Sequence, residues 1–393
     1  MTATFPDLHM SPRLLAPGGA PADLRTHEDR YGPLPPAAAD DLLRLVAASG
    51  LTGRGGAAFP VHRKLLSVAT AGRRTGRTPV VIANGAEGEP ASRKDKTLLR
   101  RSPHLVLDGI QVAAAATGAR EAHLAVEEGA GDLESALTHR RDPVPVKVVR
   151  LPKRFLSGQS SALARYVGGG AALPTYTNRP IREQGVHRAP TLVQNVETLA
   201  HLALIARFGA DWFRTAGTAA QPGSALCTIH PPGGEPHVAE APFGTPLHRL
   251  LPLNGISAVL LGGYHGTWIP ATEAVSRTLD ATTMGAGILI GLPADRCGLR
   301  ETAGILRYLA AQSAGQCGPC RNGLPRISAA FTALATPGPQ GTTRTDLARW
   351  AGLAEGRGAC HHPDGTVRLA RSALTTFALE LDAHARGFCT EDH

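Results

Sequence analysis

The chain contains 393 residues and carries a formal net charge of +9, and this length allows two or three domains with buried cores. Its Arg residues are dispersed along the sequence, so we expect an acidic protein partner and no nucleic acid. No apolar run reaches the roughly 18 residues that a membrane-spanning helix needs, and the N-terminus lacks the pattern of a secretory leader. These features predict a cytoplasmic protein that does not insert directly into a membrane.

Helix-like and strand-like segments alternate through the first half of the chain. Residues 1–35 are rich in Pro and Gly and form a predicted N-terminal extension. The predicted elements that follow are a helix at 40–49, a strand at 79–84, a helix at 105–117, and strands at 123–126 and 144–149. Such alternation is typical of a parallel sheet covered by helices on both faces, in which ligands bind at the carboxyl ends of the strands. We therefore predict an α/β domain over residues 36–220.

The second half of the chain has two different patterns. Residues 221–270 contain short apolar strands with Gly and Pro turns between them, which indicates a small, separate α+β unit. Residues 298–393 have apolar positions at helical spacing, for example Ile305, Leu306 and Leu309. This spacing predicts a small helical bundle.

A glycine loop at residues 53–60 reads Gly-Arg-Gly-Gly-Ala-Ala-Phe-Pro and leads into a helical stretch around Lys64. Glycines let backbone N–H groups approach an anion closely, and the N-terminus of a helix favours negative charge. The loop therefore predicts a site for a phosphate-bearing cofactor, with an ordinary tight turn as the alternative. It matches neither the Walker loop nor the usual dinucleotide fingerprint.

Polar side chains also follow the predicted strand at 79–84. Asn84, Glu87 and Glu89 lie in this second loop, and Lys94 and Asp95 come just after it. Amide and carboxylate groups at a strand end can hydrogen-bond a flavin ring, a ribitol or a ribose. The alternative is a loop whose acids are simply solvated.

Three of the six Cys residues have the spacing of cluster ligands. Cys317 and Cys320 form a C-x-x-C turn, and Cys360 follows forty residues later, which suits an iron–sulfur cluster. A zinc site completed by His361 or His362 and a redox or inert pair remain alternatives. The other three, Cys227, Cys297 and Cys389, are expected to be core or surface thiols.

Four motifs occur together, in an order that resembles a known family. They are the glycine loop with Lys64, residues 84–90 with Lys94 and Asp95, residues 190–199, and residues 315–321 with Cys360. Over residues 38–385 the chain resembles the F-type flavoprotein subunit shared by NADH–quinone oxidoreductases, NAD-linked hydrogenases and related formate dehydrogenases.

The resemblance implies an α/β fold with a Rossmann-like FMN domain at 36–220, a β-grasp (ubiquitin-like) insert at 221–270 and a helical bundle at 298–393 for a 4Fe–4S cluster. It implies that NADH reduces FMN and that electrons pass through the cluster to a ferredoxin-like or 2Fe–2S partner subunit and to a membrane reductase. The implied cofactor-binding residues are Gly53, Arg54, Gly55, Gly56, Ala57, Phe59, Lys64, Asn84, Glu87, Glu89 and Asn195. The implied cluster ligands are Cys317, Cys320 and Cys360.

The sequence departs from the family pattern around both cofactors. Ala86 replaces an Asp, and residues 157–163 lack two acids that the family carries there. Ser67 and Ile181 replace aromatic residues that flank the dinucleotide, and Ala314 replaces the first cluster ligand.

These losses have physical consequences. Charged hydrogen bonds contribute about 1.5–3 kcal/mol each and stacked rings about 0.5–1.5 kcal/mol, so NADH binding is expected to weaken. Fewer acids near the flavin are expected to raise its reduction potential. At Ala314 three outcomes are open: another ligand such as water or Ser313, a 3Fe–4S cluster, or no cluster. Two other functions also remain open, a flavoprotein that relays electrons from a ferredoxin-like donor and a non-catalytic scaffold.

Overall fold

The computed structural model describes residues 13–16, 21–176, 179–339 and 341–392. Its strands are β1 Val80–Gly85, β2 Glu121–Val126, β3 Val146–Arg150, β4 Thr191–Asn195, β5 Ser224–His230, β6 His237–Pro242, β7 Ile256–Leu261, β8 Thr267–Pro270 and β9 Ile288–Pro293. Its α-helices are α1 Leu24–Tyr31, α2 Ala39–Ser49, α3 Val61–Thr75, α4 Lys94–Arg101, α5 Pro103–Thr117, α6 Leu133–Thr138, α7 Ser160–Val167, α8 Val196–Arg214, α9 Leu247–Leu250, α10 Ala271–Ala274, α11 Gly298–Ala311, α12 Leu324–Leu334, α13 Thr343–Ala354, α14 His362–Thr376 and α15 Ala378–Ala385.

The first sheet is parallel, as predicted, in the order β3-β2-β1-β4. Strand β1 is a continuous apolar run whose first four residues are buried, which is typical of a parallel strand covered on both faces. Helices α5 and α8 pack so closely that a Cβ on Gly109 would lie 1.9 Å from the Leu199 carbonyl oxygen. In the β1–β4 pair, Asn84 is the register partner of Asn195. These two polar residues, at or next to the last position of their strands, are therefore neighbours at the carboxyl edge of the sheet.

The second sheet has five strands in the order β6-β5-β9-β7-β8. It encloses its own apolar core. Strand β9 is central and pairs parallel to β5 and antiparallel to β7. The sheet therefore continues past residue 270, where the sequence prediction ended the unit, because its middle strand comes last in the chain.

The C-terminal helices α11–α15 form the predicted bundle around a shared core. Trp268 of β8 packs edge-on against Phe377 with ring centroids 5.3 Å apart, so the second sheet and the bundle are in direct contact. In the predicted N-terminal extension, α1 is a helix and Leu14 and Leu15 are buried. Residues 1–12 and 17–20 of that extension lie outside the described part. Among the described residues, no helix combines the length and the apolar character that crossing a bilayer requires.

Candidate functional site

The glycine loop is closed by its own backbone. The Gly53 N–H donates to the Phe59 carbonyl oxygen at 2.9 Å, and Thr52 pairs with Pro60 in an isolated bridge. Gly56 has φ +97°, and a Cβ on Gly55 would lie 3.3 Å from Cβ of Asn195. A side chain would be strained by the φ of Gly56, and at Gly55 it would crowd Asn195. The loop therefore lies directly over the end of β4, with Gly55, Gly56 and Ala57 exposed.

Lys64 points from the first turn of α3 towards β4. Its ammonium group donates to the Val193 carbonyl oxygen. Burial lowers the pKa of Lys64 to about 8, and no carboxylate pairs with it among the described residues. A mostly enclosed cation without a counter-charge favours binding of an anion.

A cavity of about 440 Å³ lies beside this cation. Phe59, Lys64, Ser67 and Ile181 all line it, so the glycine loop and α3 share one space with a residue more than a hundred positions later. The remaining lining residues are Arg63, Ser160, Arg182, Thr191 and Val193. The lining contains three cations and no carboxylate, so the cavity suits an anionic ligand.

Arg54 lies away from the cavity, although the sequence interpretation placed it with the cofactor. Its side chain is buried, and Nε donates to the Ser224 carbonyl oxygen at 3.0 Å. Its guanidinium also stacks over Phe243, 4.5 Å from the ring centroid. Arg54 therefore attaches the glycine loop to the second sheet.

Asn84 and Asn195 lie side by side, and both hold neighbouring loops. The Asn84 side-chain amide donates to the Gly158 carbonyl oxygen at 2.9 Å. The Asn195 amide donates to a carboxylate oxygen of Asp95 at 2.8 Å. A Cβ on Gly158 would lie 3.1 Å from Cβ of Ala86, so the loop after β1 packs tightly against the loop before α7.

Sequence reasoning missed a buried ion network behind these amides. Lys94 donates to Asp95 at 2.7 Å and to Glu197 at 2.8 Å. Burial opposes the charge of Lys94, but the two carboxylates hold its pKa above the usual range. Glu197 stands at the start of α8, just before the mainly apolar residues 199–206, and that position was the available signal.

Glu87 caps a helix. Both of its oxygens accept hydrogen bonds, from the Ser92 hydroxyl at 2.5 Å and from the N–H groups of Asp95 and Lys96 at 3.0 and 3.1 Å. These donors belong to or precede the first turn of α4, which prefers a negative group. The carboxylate of Glu87 is therefore occupied within the protein.

Glu89 has one oxygen without a partner. Its Oε2 accepts from the Tyr264 N–H at 3.0 Å, whereas the buried Oε1 has no hydrogen-bond partner among the described residues. Burial raises the pKa of Glu89 to about 7. At neutral pH this carboxyl group therefore exchanges a proton readily.

A chain of rings leads from Glu89 towards the C-terminal bundle. Tyr264 packs edge-on against Tyr308 with centroids 5.6 Å apart. Tyr308 contacts Phe155 at 6.1 Å, and Phe155 contacts His362 at 5.5 Å. These contacts form a continuous packed bridge between the sheet edge and the start of α14.

Two imidazoles complete this bridge. His362 Nε2 donates to the Leu309 carbonyl oxygen at 2.9 Å, so its Nδ1 accepts from His265 Nε2 at 2.9 Å. Burial lowers the pKa of His265 to about 3 and also lowers the pKa of His362. Both rings are therefore neutral and fixed in orientation. His362 lies two residues after Cys360 in the chain.

Each of the three candidate cluster thiols accepts a backbone hydrogen bond. The N–H groups of Ala359, Gly315 and His362 donate to the sulfurs of Cys317, Cys320 and Cys360 respectively. The three sulfurs are close enough to perturb one another's pKa. Burial raises the pKa of Cys360, and it raises that of Cys320 to about 12. Amide hydrogen bonds to sulfur are typical of iron–sulfur sites.

The spacing of these thiols differs from that of a zinc site. Tetrahedral Zn–S bonds of about 2.3 Å place ligand sulfurs about 3.8 Å apart. Among the described residues the three thiols do not form a group within 4.8 Å. The side chain of His361 is 99% exposed, and both nitrogens of His362 are occupied. Neither histidine therefore offers the fourth zinc ligand.

Two family models match this chain. The Nuo51 FMN-binding domain matches residues 46–204, and the iron–sulfur binding region of NADH-ubiquinone oxidoreductase-F matches residues 300–384. The two matches, in this order, correspond to the two cofactor domains of the F-type flavoprotein subunits. The sequence-based resemblance is thereby confirmed, together with its α/β fold class and its two cofactor classes, FMN and a 4Fe–4S cluster.

The similarity of this flavoprotein to named relatives extends over most of its length. It is 28% identical to the F subunit 2 of the NADH-quinone oxidoreductase of Rhizobium meliloti, with 96% of this chain and 95% of the relative covered. It is 28% identical to the corresponding F subunit of Streptomyces coelicolor, with 89% and 84% covered. A crystal structure of an NAD+-reducing NiFe hydrogenase in the H2-reduced state matches with a TM-score of 0.80 and 27% identity. That match covers 88% of this chain, which spans 63% of the hydrogenase chain.

A flavin mononucleotide suits the residues of this flavoprotein. The exposed glycines admit an anionic group, Lys64 supplies an unpaired positive charge, and Glu89 keeps an orphaned oxygen. The cluster region is suitable as well, since three sulfurs with amide donors are already assembled. Ala314, next to the Gly315 donor, supplies no ligand. The described thiols therefore offer the cluster three protein ligands.

The raised pKa of Glu89 predicts that Glu89→Gln stabilises the folded protein by an amount that depends on pH. Below about pH 4.5 the carboxyl is protonated in both folded and unfolded chains, so Glu89→Gln should change stability little. As the pH rises to 7, the carboxyl of the unfolded chain loses its proton first, whereas burial hinders ionisation in the native protein. The free energy of unfolding of the wild-type protein therefore falls. The substitution should therefore stabilise the protein increasingly, by at most about 3 kcal/mol at pH 7.

Thermal unfolding between pH 4.5 and 8 measures this effect. The exposed Glu235 provides the matched control, and Glu235→Gln should shift the melting temperature equally at every pH. A gain for Glu89→Gln that shrinks as the pH rises would show that the carboxyl is ionised and paired in the folded protein.

Proposed function

We propose that this chain is the electron-input subunit of an NADH dehydrogenase-type oxidoreductase, taking electrons from NADH through FMN and its cluster to a partner. The observation that carries the proposal is the packed bridge of rings. It runs from Tyr264, whose N–H donates to Glu89, to His362, two residues from Cys360. When bound, FMN accepts a hydride and releases single electrons. The chain's own residues bind the cofactor, exchange a proton and exclude water.

Three groups have distinct roles in this proposal. Lys64 binds and orients the anionic cofactor, because no carboxylate in the described part of the chain pairs with its charge. Glu89 holds or releases a proton at Oε1, since the pKa of this carboxyl is about 7. Phe155 and the two neutral imidazoles exclude water between the two sites and keep their spacing fixed.

The cavity favours a second candidate function. Ser67 and Ile181 line it in place of rings, and Arg63, Lys64 and Arg182 give it positive charge. A degenerate NADH site of this kind would suit a flavoprotein that takes electrons from a small acidic, ferredoxin-like donor. The same cations would then face the acidic surface of that donor.

We place the chain in a complex with other electron-transfer subunits, as the names of its relatives suggest. A ferredoxin-like or 2Fe–2S protein is the proposed acceptor, and association with the inner face of a membrane would occur through such partners. The +9 net charge suits an acidic partner surface.

Anaerobic purification followed by cofactor analysis tests the proposal. We expect about one FMN per chain, and three to four irons with matching sulfide. NADH added in the absence of oxygen should then bleach the flavin absorbance. Bleaching by a reduced ferredoxin but not by NADH would favour the second candidate, and folded protein with neither cofactor would favour a scaffold.

A further inference from the structure

A second group of ligand-type side chains lies at the far end of the helical bundle. Cys297 immediately precedes α11, His384 belongs to α15, and Cys389 follows that helix. All three are at least 98% buried. The sequence suggested only core or surface thiols for the two cysteines, because 92 positions separate them in the chain.

The ligand atoms converge at the distances of a metal site. The two sulfurs and one imidazole nitrogen all lie within 4.8 Å of one another, and this is the sole such group of three in the described ranges. Cys297 Sγ lies 3.5 Å from His384 Nε2. Ligand atoms around tetrahedral zinc are about 3.5–3.8 Å apart.

The imidazole is already held in the form that binds a metal. His384 Nδ1 lies 3.2 Å from the Leu334 carbonyl oxygen, so this nitrogen donates and Nε2 presents its lone pair to the sulfurs. A backbone carbonyl that accepts from the second ring nitrogen is the usual support of a metal-bound histidine.

A carboxylate and a cation complete the surroundings. Glu380 hydrogen-bonds the Cys297 thiol and accepts from the Gly298 N–H at 2.8 Å. Arg300 interacts electrostatically with both sulfurs. Two thiolates balance the charge of a divalent ion, and Arg300, which is also paired with Asp392, lies near both sulfurs.

The C-terminal segment is held over these residues by ion pairs. Arg300 makes two hydrogen bonds of 2.7 Å to Asp392, and Arg296 lies 3.1 Å from Glu391. These contacts keep Cys389 against Cys297 and shield the group from solvent.

We propose that Cys297, His384 and Cys389 bind one structural zinc ion, and that Glu380 turns from its hydrogen bond with the Cys297 thiol to supply the fourth ligand. Thiolate and imidazole donors in a closed, tetrahedral arrangement select zinc. Without metal, burial raises the pKa of Cys297 to about 12, so binding displaces the proton of this thiol to solvent. The ion would join the start of α11 to the C-terminal segment and is separate from the three cluster thiols.

Metal analysis of the full chain, purified with its cofactors, tests the proposal. We expect about one zinc per chain, falling at least tenfold in Cys297→Ser and in Cys389→Ser. Flavin and acid-labile sulfide should stay unchanged in both variants. Cys227→Ala removes a buried thiol of β5 and should keep the zinc.

Cobalt provides a measurement that needs no variant. Protein grown with Co2+ should show intense thiolate-to-cobalt absorption and the weaker bands of a tetrahedral site. The proposal would be overturned if zinc were absent from the wild-type chain or if the cysteine substitutions left it in place. If the protein instead had a mass lower by two hydrogens, and reduction removed this difference, a Cys297–Cys389 disulfide would replace the metal site.

Discussion

Replacing Lys64 with Met should strip most of the FMN from the purified protein. The ammonium group is mostly enclosed and has no carboxylate partner among the described residues. Its charged hydrogen bond to the cofactor should be worth about 1.5–3 kcal/mol. This range corresponds to a roughly 10- to 200-fold weaker affinity. Flavin fluorescence after denaturation gives the FMN content per chain, and titration of flavin-free protein gives the affinity.

Arg63→Met is the matched control, because Arg63 is the adjacent residue of α3, lines the same cavity and is exposed. It removes the same formal charge and should cost less than threefold in affinity, since exposed charges are screened. Lys64→Arg should bind FMN better than Lys64→Met. Equal losses in Lys64→Met and Arg63→Met would show that general positive charge holds the flavin.

The pH dependence of FMN binding has a definite sign. The pKa of Lys64 in the flavin-free protein is about 8 because burial disfavours its charge, and an anion bound beside it would raise that pKa. Affinity should therefore be nearly constant between about pH 7 and 8, where the phosphate is a dianion, and fall as the pH rises above that range. This fall should be absent in Lys64→Met.

The sequence predicted the parts of the site that depend on local patterns. The parallel sheet placed Asn84 and Asn195 together, and the glycine loop needed only its own residues to close. Arg54 and Glu87 could not be placed in this way. The partners of Arg54 come from the second sheet, at Ser224 and Phe243, and the capping role of Glu87 depends on where α4 begins.

Long sequence separation also explains what was missed elsewhere. Strand β9 comes last in the chain, yet it lies in the middle of the second sheet, between β5 and β7. Cys297 and His384 are 87 positions apart, and no spacing rule links them. Tertiary packing decides such pairs, so local periodicity does not reveal them.

The two departures around the cofactors have opposite consequences in the structure. At the cavity, lost rings and acids leave a basic, open space that can still receive an anion. At the cluster, one missing thiol leaves the other three fully supported by amide donors. In the proposed function the electron route would therefore be retained, and the selectivity for the donor and the lability of one iron would be the properties that change.

Installing the missing ligand with Ala314→Cys should convert a labile cluster into a stable one. The neighbouring Gly315 N–H donates to the Cys320 sulfur, so position 314 lies beside the cluster thiols. We expect the wild-type protein to fall from about four irons to about three on mild oxidation and to gain the electron paramagnetic resonance signal of an oxidised 3Fe–4S cluster. The variant should keep about four irons and lack that signal.

Ala311→Cys adds an exposed thiol at the end of α11, three residues earlier, and should behave like the wild-type protein. This control distinguishes coordination of the cluster from a general effect of an added thiol, because a general effect would appear in both variants. If Ala314→Cys lost iron as readily as the wild-type protein, another group would already occupy the fourth position and Ala314 would point away from it. Retention of four irons by Ala314→Cys alone would mean that the loss of one thiol is what makes the cluster of this flavoprotein labile.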